Sequence, residues 1–267
     1  MTNPHGTPIW YELLTNDAAG SKAFYDAVIG WNIAAKSDAP GMDYRMIATS
    51  EGSFVGGMMP LTDTMRSGGA KPTWLFYIGV DDVDATAKLI AEKGGSVPLG
   101  PFDIPGAGRA AMVTDPQGNL FYIMRGSSAQ SSTAWERTGI GKCNWNELAS
   151  SDQAASNAFY AEVFGWTYPE KMEMPGGMGD YMFIDAAGQV IGATVKAGIQ
   201  PGQPKGWQFY FRAPDIEVAA ETVRRLGGAV HAGPMDVPGG DRIIVASDPQ
   251  GVNFGVVGPG RQERQGA

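Results

Sequence analysis

The stretch WYELLTNDAAGSKAFYDAVIGW, residues 10–31, returns in the second half of the chain as WNELASSDQAASNAFYAEVFGW, residues 145–166. Both copies keep a tryptophan (Trp10, Trp145), a glutamate two places on (Glu12, Glu147), Ala-Phe-Tyr (23–25, 158–160) and Gly-Trp (30–31, 165–166). Working outward, Asp43-Tyr44 matches Asp180-Tyr181, and Trp74 and Tyr77 match Trp207 and Tyr210. Gly94-Gly95 matches Gly227-Gly228, and Asp115-Pro116-Gln117-Gly118 matches Asp248-Pro249-Gln250-Gly251. Preserved order at nearly constant spacing means two homologous halves. Between them, residues 127–139 are rich in Ser, Thr, Ala and Gln and read as a linker. The expected division is 1–126, linker 127–139, 140–260 and a tail at 261–267.

Each half repeats once more within itself. Ile9–Leu14 alternates as a strand, Asn16 or Asp17 caps a helix running to Ile29, and Gly30 stops it. Short strands follow around 32–36, 44–48 and 54–59. The pattern restarts with a strand at 73–80, a helix from the Asp82 cap to Lys93, and strands near Val97, 110–113 and 120–124. Asp115-Pro-Gln-Gly118 has the residues of a type I turn. The unit is β-α-β-β-β, four times in the chain, giving an α+β fold whose paired units enclose a cleft. On the first strand Trp10, Glu12 and Leu14 share the cleft face; on the fifth, Leu75, Tyr77 and Gly79 do.

Composition narrows the partners. The 267 residues are 43% hydrophobic and 18% charged, enough apolar material for a substantial core. A net charge of −8 without a basic block argues against nucleic acid. No apolar run nears the roughly 18 residues of a membrane span, and residues 1–8 lack a secretory pattern, so a cytoplasmic protein is expected. Cys143 is the sole cysteine and His5 and His231 the only histidines, which excludes an intramolecular disulfide, thiolate zinc cages and histidine-rich catalysis. Cys143 reads as a buried apolar thiol, and His231 as solvent-facing. The recurring Arg109 with Asp103, and Arg242 with Asp236, read as ion pairs.

The Ala-Phe-Tyr helix followed by Gly-Trp, the Val80-Asp-Asp-Val-Asp-Ala85 junction and the Asp-Pro-x-Gly turn together resemble the vicinal oxygen chelate superfamily, which holds glyoxalases, bleomycin-resistance proteins and extradiol dioxygenases. The resemblance covers nearly the whole chain and implies two tandem glyoxalase-like domains. It also implies a divalent metal held by His, Gln or Glu from the first, fourth, fifth and eighth strands. Those positions fall on Trp10, Met58, Leu75 and Tyr122 in half one, and on Trp145, Ala193, Gln208 and Gly255 in half two. Only Gln208 is an ordinary oxygen ligand, so no cofactor is expected, although a divalent metal stays open.

Glu12 and Glu147 are the candidate catalytic residues, because a carboxylate in an apolar cleft must be paired, hydrated, protonated or bound to a cation. Trp10, Trp145, Tyr44, Tyr181, Tyr77, Tyr210, Tyr122 and Gln208 are the candidate substrate-binding residues, and Trp74 and Trp207 extend the aromatic wall. Trp31 and Trp166 read as core. Gly255 in place of Tyr122 makes half two the roomier side. Two functions follow: binding of a small organic molecule, as in the bleomycin-resistance branch, or isomerase, lyase or dioxygenase chemistry through Glu12 or Glu147. Four units allow a monomer or a homodimer.

Overall fold

The computed structural model describes residues 3–37, 39, 41–198 and 205–260; the tail at 261–267 lies outside them. Half one runs β1 (Pro8–Thr15), α1 (Ala18–Ile29), β2 (Asn32–Ile33), β3 (Arg45–Ala48), β4 (Phe54–Pro60) and a short α2 (Asp63–Ser67). It continues with β5 (Thr73–Gly79), α3 (Val83–Glu92), β6 (Ser96–Ile104), β7 (Gly108–Thr114) and β8 (Leu120–Gly126). Half two runs β9 (Cys143–Ser150), α4 (Gln153–Phe164), β10 (Lys171–Glu173), β11 (Asp180–Ala186) and β12 (Gln189–Lys196). Then come β13 (Gly206–Arg212), α5 (Ile216–Arg225), β14 (Ala229–Asp236), β15 (Arg242–Ser247) and β16 (Asn253–Gly258). The strands form two eight-stranded mixed sheets, ordered β2-β3-β4-β1-β5-β8-β7-β6 and β10-β11-β12-β9-β13-β16-β15-β14. The α+β architecture of two tandem glyoxalase-like domains is as read from the repeat. Among the described residues no helix is long and apolar enough to cross a membrane.

Local chemistry sets the element ends. Asp17 and Asp152 cap α1 and α4 by accepting from Gly20 N and Ala155 N, at 2.9 and 3.0 Å. Gly30 ends α1 in the left-handed region, φ 83°. Two expectations shift. β2 stops at Ile33 rather than Lys36; at its outer edge the Ile33 N–H donates to Asp26 and the Ile33 carbonyl accepts from Lys22, while Ala34 N makes the last bond to β3 at the Met46 carbonyl. β6 is far longer than a strand near Val97, since Pro98 and Pro101 sit at register irregularities of the β6–β7 pair.

The chain folds into two compact units, and neither is one half of the sequence. One comprises Met1–Tyr11, Leu75–Trp135 and Trp145–Gln208; the other Glu12–Trp74, Glu136–Asn144 and Phe209–Ala267. Each unit therefore joins one βαβββ module from each half.

In the first unit, the buried Tyr160 hydroxyl accepts from Trp207 Nε1 at 3.0 Å and donates to Asp115 Oδ2 at 3.2 Å. Trp166 stacks on Tyr160 with ring centroids 4.8 Å apart and donates to the Gly6 carbonyl. Ser156 donates to Gln117, the third residue of the Asp-Pro-Gln-Gly turn. The segment read as a linker has no regular structure, yet Ser132 bonds Asn3 and the Ile9 carbonyl, and Ala134 is fully buried.

The second unit repeats the scheme with its own residues. Tyr25 accepts from Trp74 at 3.0 Å and donates to Asp248 at 3.2 Å. Trp31 packs edge-on to Phe211 at 4.8 Å and donates to the Gly141 carbonyl. Gln250 reaches the start of α1, donating to Thr15 and Ser21 and accepting from Asn16 N. Trp31 and Trp166 are core, as expected, and Cys143 is fully buried.

Burial, reinforced by the neighbouring aspartates, raises both phenols well above the usual tyrosine range. Both therefore stay protonated and keep donating. Burial also raises the Asp248 carboxyl above 3.8. The native protein then takes up that proton at a higher pH than the unfolded chain does, so this group's contribution grows as pH falls from the raised value toward 3.8.

Two outcomes follow. Tyr25→Phe takes the acceptor from the buried Trp74 indole and Tyr160→Phe from the half-buried Trp207 indole. Each also removes one donor from an aspartate, and each should cost about 1–3 kcal/mol in urea unfolding. In the same measurement, the advantage of the wild type over Asp248→Asn should widen between pH 7 and pH 4.

Candidate functional site

Strand alternation assigns the faces. Trp74 donates to Tyr25 of α1 and Trp207 to Tyr160 of α4, so both tryptophans lie on the helix-covered face. That corrects their place in the aromatic wall, and leaves Leu75 and Tyr77, and likewise Gln208 and Tyr210, on the helix-free face.

On the helix-free face of half two, the first unit carries a hydrogen-bonded chain. Trp145 Nε1 donates to the Tyr181 hydroxyl at 2.8 Å, and that hydroxyl donates to Glu147 Oε2 at 2.7 Å. Trp145 and Glu147 lie on β9, Tyr181 on β11, and β12 runs between those strands. Ala193 of β12 pairs with Glu147 on one side and Phe183 on the other. Its methyl group is small enough for the Tyr181 ring to cross the intervening strand. Phe183 completes the patch, edge-on to Trp145 at 5.9 Å and to Tyr181 at 5.7 Å. Sequence reading selected Trp145, Glu147 and Tyr181 but missed Phe183; the alternation of Tyr181 with Phe183 along β11 was the available signal. Trp145, Glu147 and Tyr181 are all half-buried, so the chain's end remains reachable.

Gln208 lies on the same face, one strand over, and is only 4% exposed. Its counterpart in half one is Leu75.

In half one the candidates are placed differently. Glu12 is 2% exposed, far more enclosed than Glu147. Trp10 is half-buried. The Tyr44 ring lies against Gly57, where an added Cβ would fall 2.1 Å from Cζ. Tyr77 and Tyr122 stack face to face, 4.3 Å apart and 8° from parallel, and both are buried. They fill each other's space.

At Gly255 a Cβ would meet the Tyr210 ring at 2.1 Å, so that ring lies over the glycine. Half two thus seats one ring where half one stacks Tyr77 on Tyr122. The ion pairs stand as read: Arg109 binds Asp103 and Asp84, and Arg242 binds Asp236 and Glu217. His231 is exposed.

The metal positions need one change of register. Met58 pairs with Arg45 as Thr194 pairs with Met182, so the residue equivalent to Ala193 is Gly57, not Met58. Thr194 accepts from Gln153 of α4, which confirms that this position faces the helix. The family positions then hold Trp10, Gly57, Leu75 and Tyr122, or Trp145, Ala193, Gln208 and Gly255. A divalent site needs several oxygen or imidazole donors converging at about 2 Å. One amide among eight positions, with Glu147 already receiving the Tyr181 hydroxyl, does not fit such a site. Among the described residues no cluster of three His, Cys, Asp or Glu side chains stands in for it.

Residues 8–123 and 140–256 each match the Glyoxalase/Bleomycin resistance protein/Dioxygenase superfamily. The chain belongs to that superfamily. Among its relatives, a Mycobacterium tuberculosis protein named "Putative glyoxylase CFP32" is 34% identical, over 97% of each chain. "Anthracycline biosynthesis protein DnrV" of Streptomyces peucetius is 28% identical, over 94% of this chain and 93% of its own. In fold, the chain is similar to the 2,3-dioxygenase LapB of Pseudomonas sp. KL28, with a TM-score of 0.63 at 16% identity, covering 98% of this superfamily member and 95% of LapB.

Gly255→Ala tests the packing of this face. Overpacking beneath Tyr210 should cost about 1–3 kcal/mol in urea unfolding, whereas an unchanged midpoint would mean that the ring does not rest there.

Proposed function

We propose that this superfamily member binds a small organic molecule on the helix-free face of half two, in the manner of the bleomycin-resistance branch and without the family's usual metal. The observation that carries this reading is the Trp145–Tyr181–Glu147 chain. Two side chains, one on each of two strands, commit their donors in sequence to one half-buried carboxylate. Beside it, Trp145 and Phe183 offer ring surface for a flat apolar part of a ligand. Such a surface supplies area, and the carboxylate supplies direction by accepting from a ligand hydroxyl or N–H. The name of the Streptomyces peucetius relative, which refers to anthracycline biosynthesis, supports a ligand with a flat ring system.

A second reading rests on the same carboxylate. Glu147, held by Tyr181, is placed to take a proton from carbon next to a ligand carbonyl, the step shared by glyoxalase-type isomerases. The more enclosed Glu12 is the weaker candidate for that role.

Ligand screening by thermal shift, with and without EDTA, tests the first reading. Ligands should stabilise the protein equally in both conditions, and Glu147→Gln should weaken them about tenfold or more, a loss of about 1.4 kcal/mol. Binding that requires added Mn, Fe, Ni or Zn, or that ignores Glu147→Gln, would sink it. For the second reading, exchange of a bound carbonyl compound's α-hydrogen in D2O, followed by NMR, should fall about 10²-fold or more in Glu147→Gln.

A further inference from the structure

Gln208 is a buried amide whose Nε2 has no hydrogen-bond partner among the described residues. An amide N–H removed from water without a replacement partner disfavours the folded state, so such a group calls for an explanation. Packing does not require it: half one holds Leu75 at the same place in the same strand. The position also matters. Gly141 N donates to the Arg212 carbonyl and Arg212 N to the Lys142 carbonyl. Since β13 and β9 are bonded neighbours, only an antiparallel run from that contact lets them overlap. Counting back from Arg212 to Gln208 and forward from Gly141 and Lys142 brings Gln208 level with Trp145 and Asn146, within two residues of Glu147. A donor in want of an acceptor thus lies on the same face as a carboxylate that accepts, close to the level of Trp145.

We infer that Gln208 determines the specificity of this face: its amide N–H donates to a carbonyl oxygen of a ligand whose hydroxyl donates to Glu147. The ligand class is a flat hydroxy-carbonyl compound, with the two groups on one ring system and not hydrogen-bonded to each other. This rests on the binding reading above and deepens it. The choice between Gln208 and Leu75 then separates the two halves chemically. Half one lacks the donor and does not recognise the carbonyl.

Three probes separate the groups: 2-hydroxyanthraquinone carries both, anthraquinone lacks the hydroxyl, and 2-hydroxyanthracene lacks the carbonyls. By calorimetry or tryptophan fluorescence, the full-length protein should bind 2-hydroxyanthraquinone about tenfold or more tighter than either of the others. Gln208→Leu should lose about tenfold for both quinones and leave 2-hydroxyanthracene unchanged. The same variant, without ligand, should unfold at higher urea, because the partnerless amide is gone. Equal quinone affinity in Gln208→Leu, equal loss for 2-hydroxyanthracene, or a lower unfolding midpoint would each overturn the inference. If none of the probes binds while other ligands do so in a Glu147-dependent way, the hydroxy-carbonyl class falls and the binding reading stands. If no small molecule binds, both fall.

Discussion

Two buried phenols organise this protein. Tyr25 and Tyr160 each stand between an indole N–H from a strand of their own half and an aspartate from a turn of the other half. Because burial keeps each hydroxyl protonated, it can accept from the tryptophan and donate to the carboxylate at once. The members depend on one another: without the phenol the indole loses its acceptor, and the aspartate keeps only the donors of its own turn. The Asp-Pro-Gln-Gly turns add a second clasp, with Gln117 on Ser156 and Gln250 on Thr15 and Ser21. Duplicated sequence has thus become reciprocal structure.

The repeat made the architecture legible because its landmarks are local. Aspartate caps, left-handed glycines and Asp-Pro-Gln-Gly turns act within a few residues, and all appear where their chemistry puts them. The failures are tertiary. β2 ends early beside helix side chains that take the outward backbone groups of Ile33, and β6 is stretched across two prolines by its partner strand. Nothing in either segment alone records those partners. The assembly of each unit from both halves was equally hidden, since repetition reveals that modules are alike and says nothing of which modules pack together.

At the candidate site, alternation did most of what sequence could do. It put Glu12 and Glu147 on the helix-free face and would have removed Trp74 and Trp207 from it if applied consistently. Gly255 reads in sequence as open space, whereas in the structure the neighbouring Tyr210 ring lies over it. The same happens in half one, where Tyr44 lies on Gly57. In both places the glycine lets an aromatic ring approach the backbone closely. The Tyr181–Glu147 contact, two strands apart, needed the small side chain of Ala193 and the pair registers on both sides of it, which only coordinates supply.

The three-part make-up of each compact unit bears on how the chain is born. Every contact that closes the first unit is available once Gln208 has left the ribosome. The second cannot close until the strands after Phe209 have been made, because Tyr25 waits for Asp248. Through that interval the segment from Glu12 to Trp74 carries apolar side chains that have no permanent neighbours. Nascent chains in that condition are the ones that chaperones find and that aggregate when they do not. Late closure of the earliest-made segment is the biosynthetic burden of interleaving two copies of one domain.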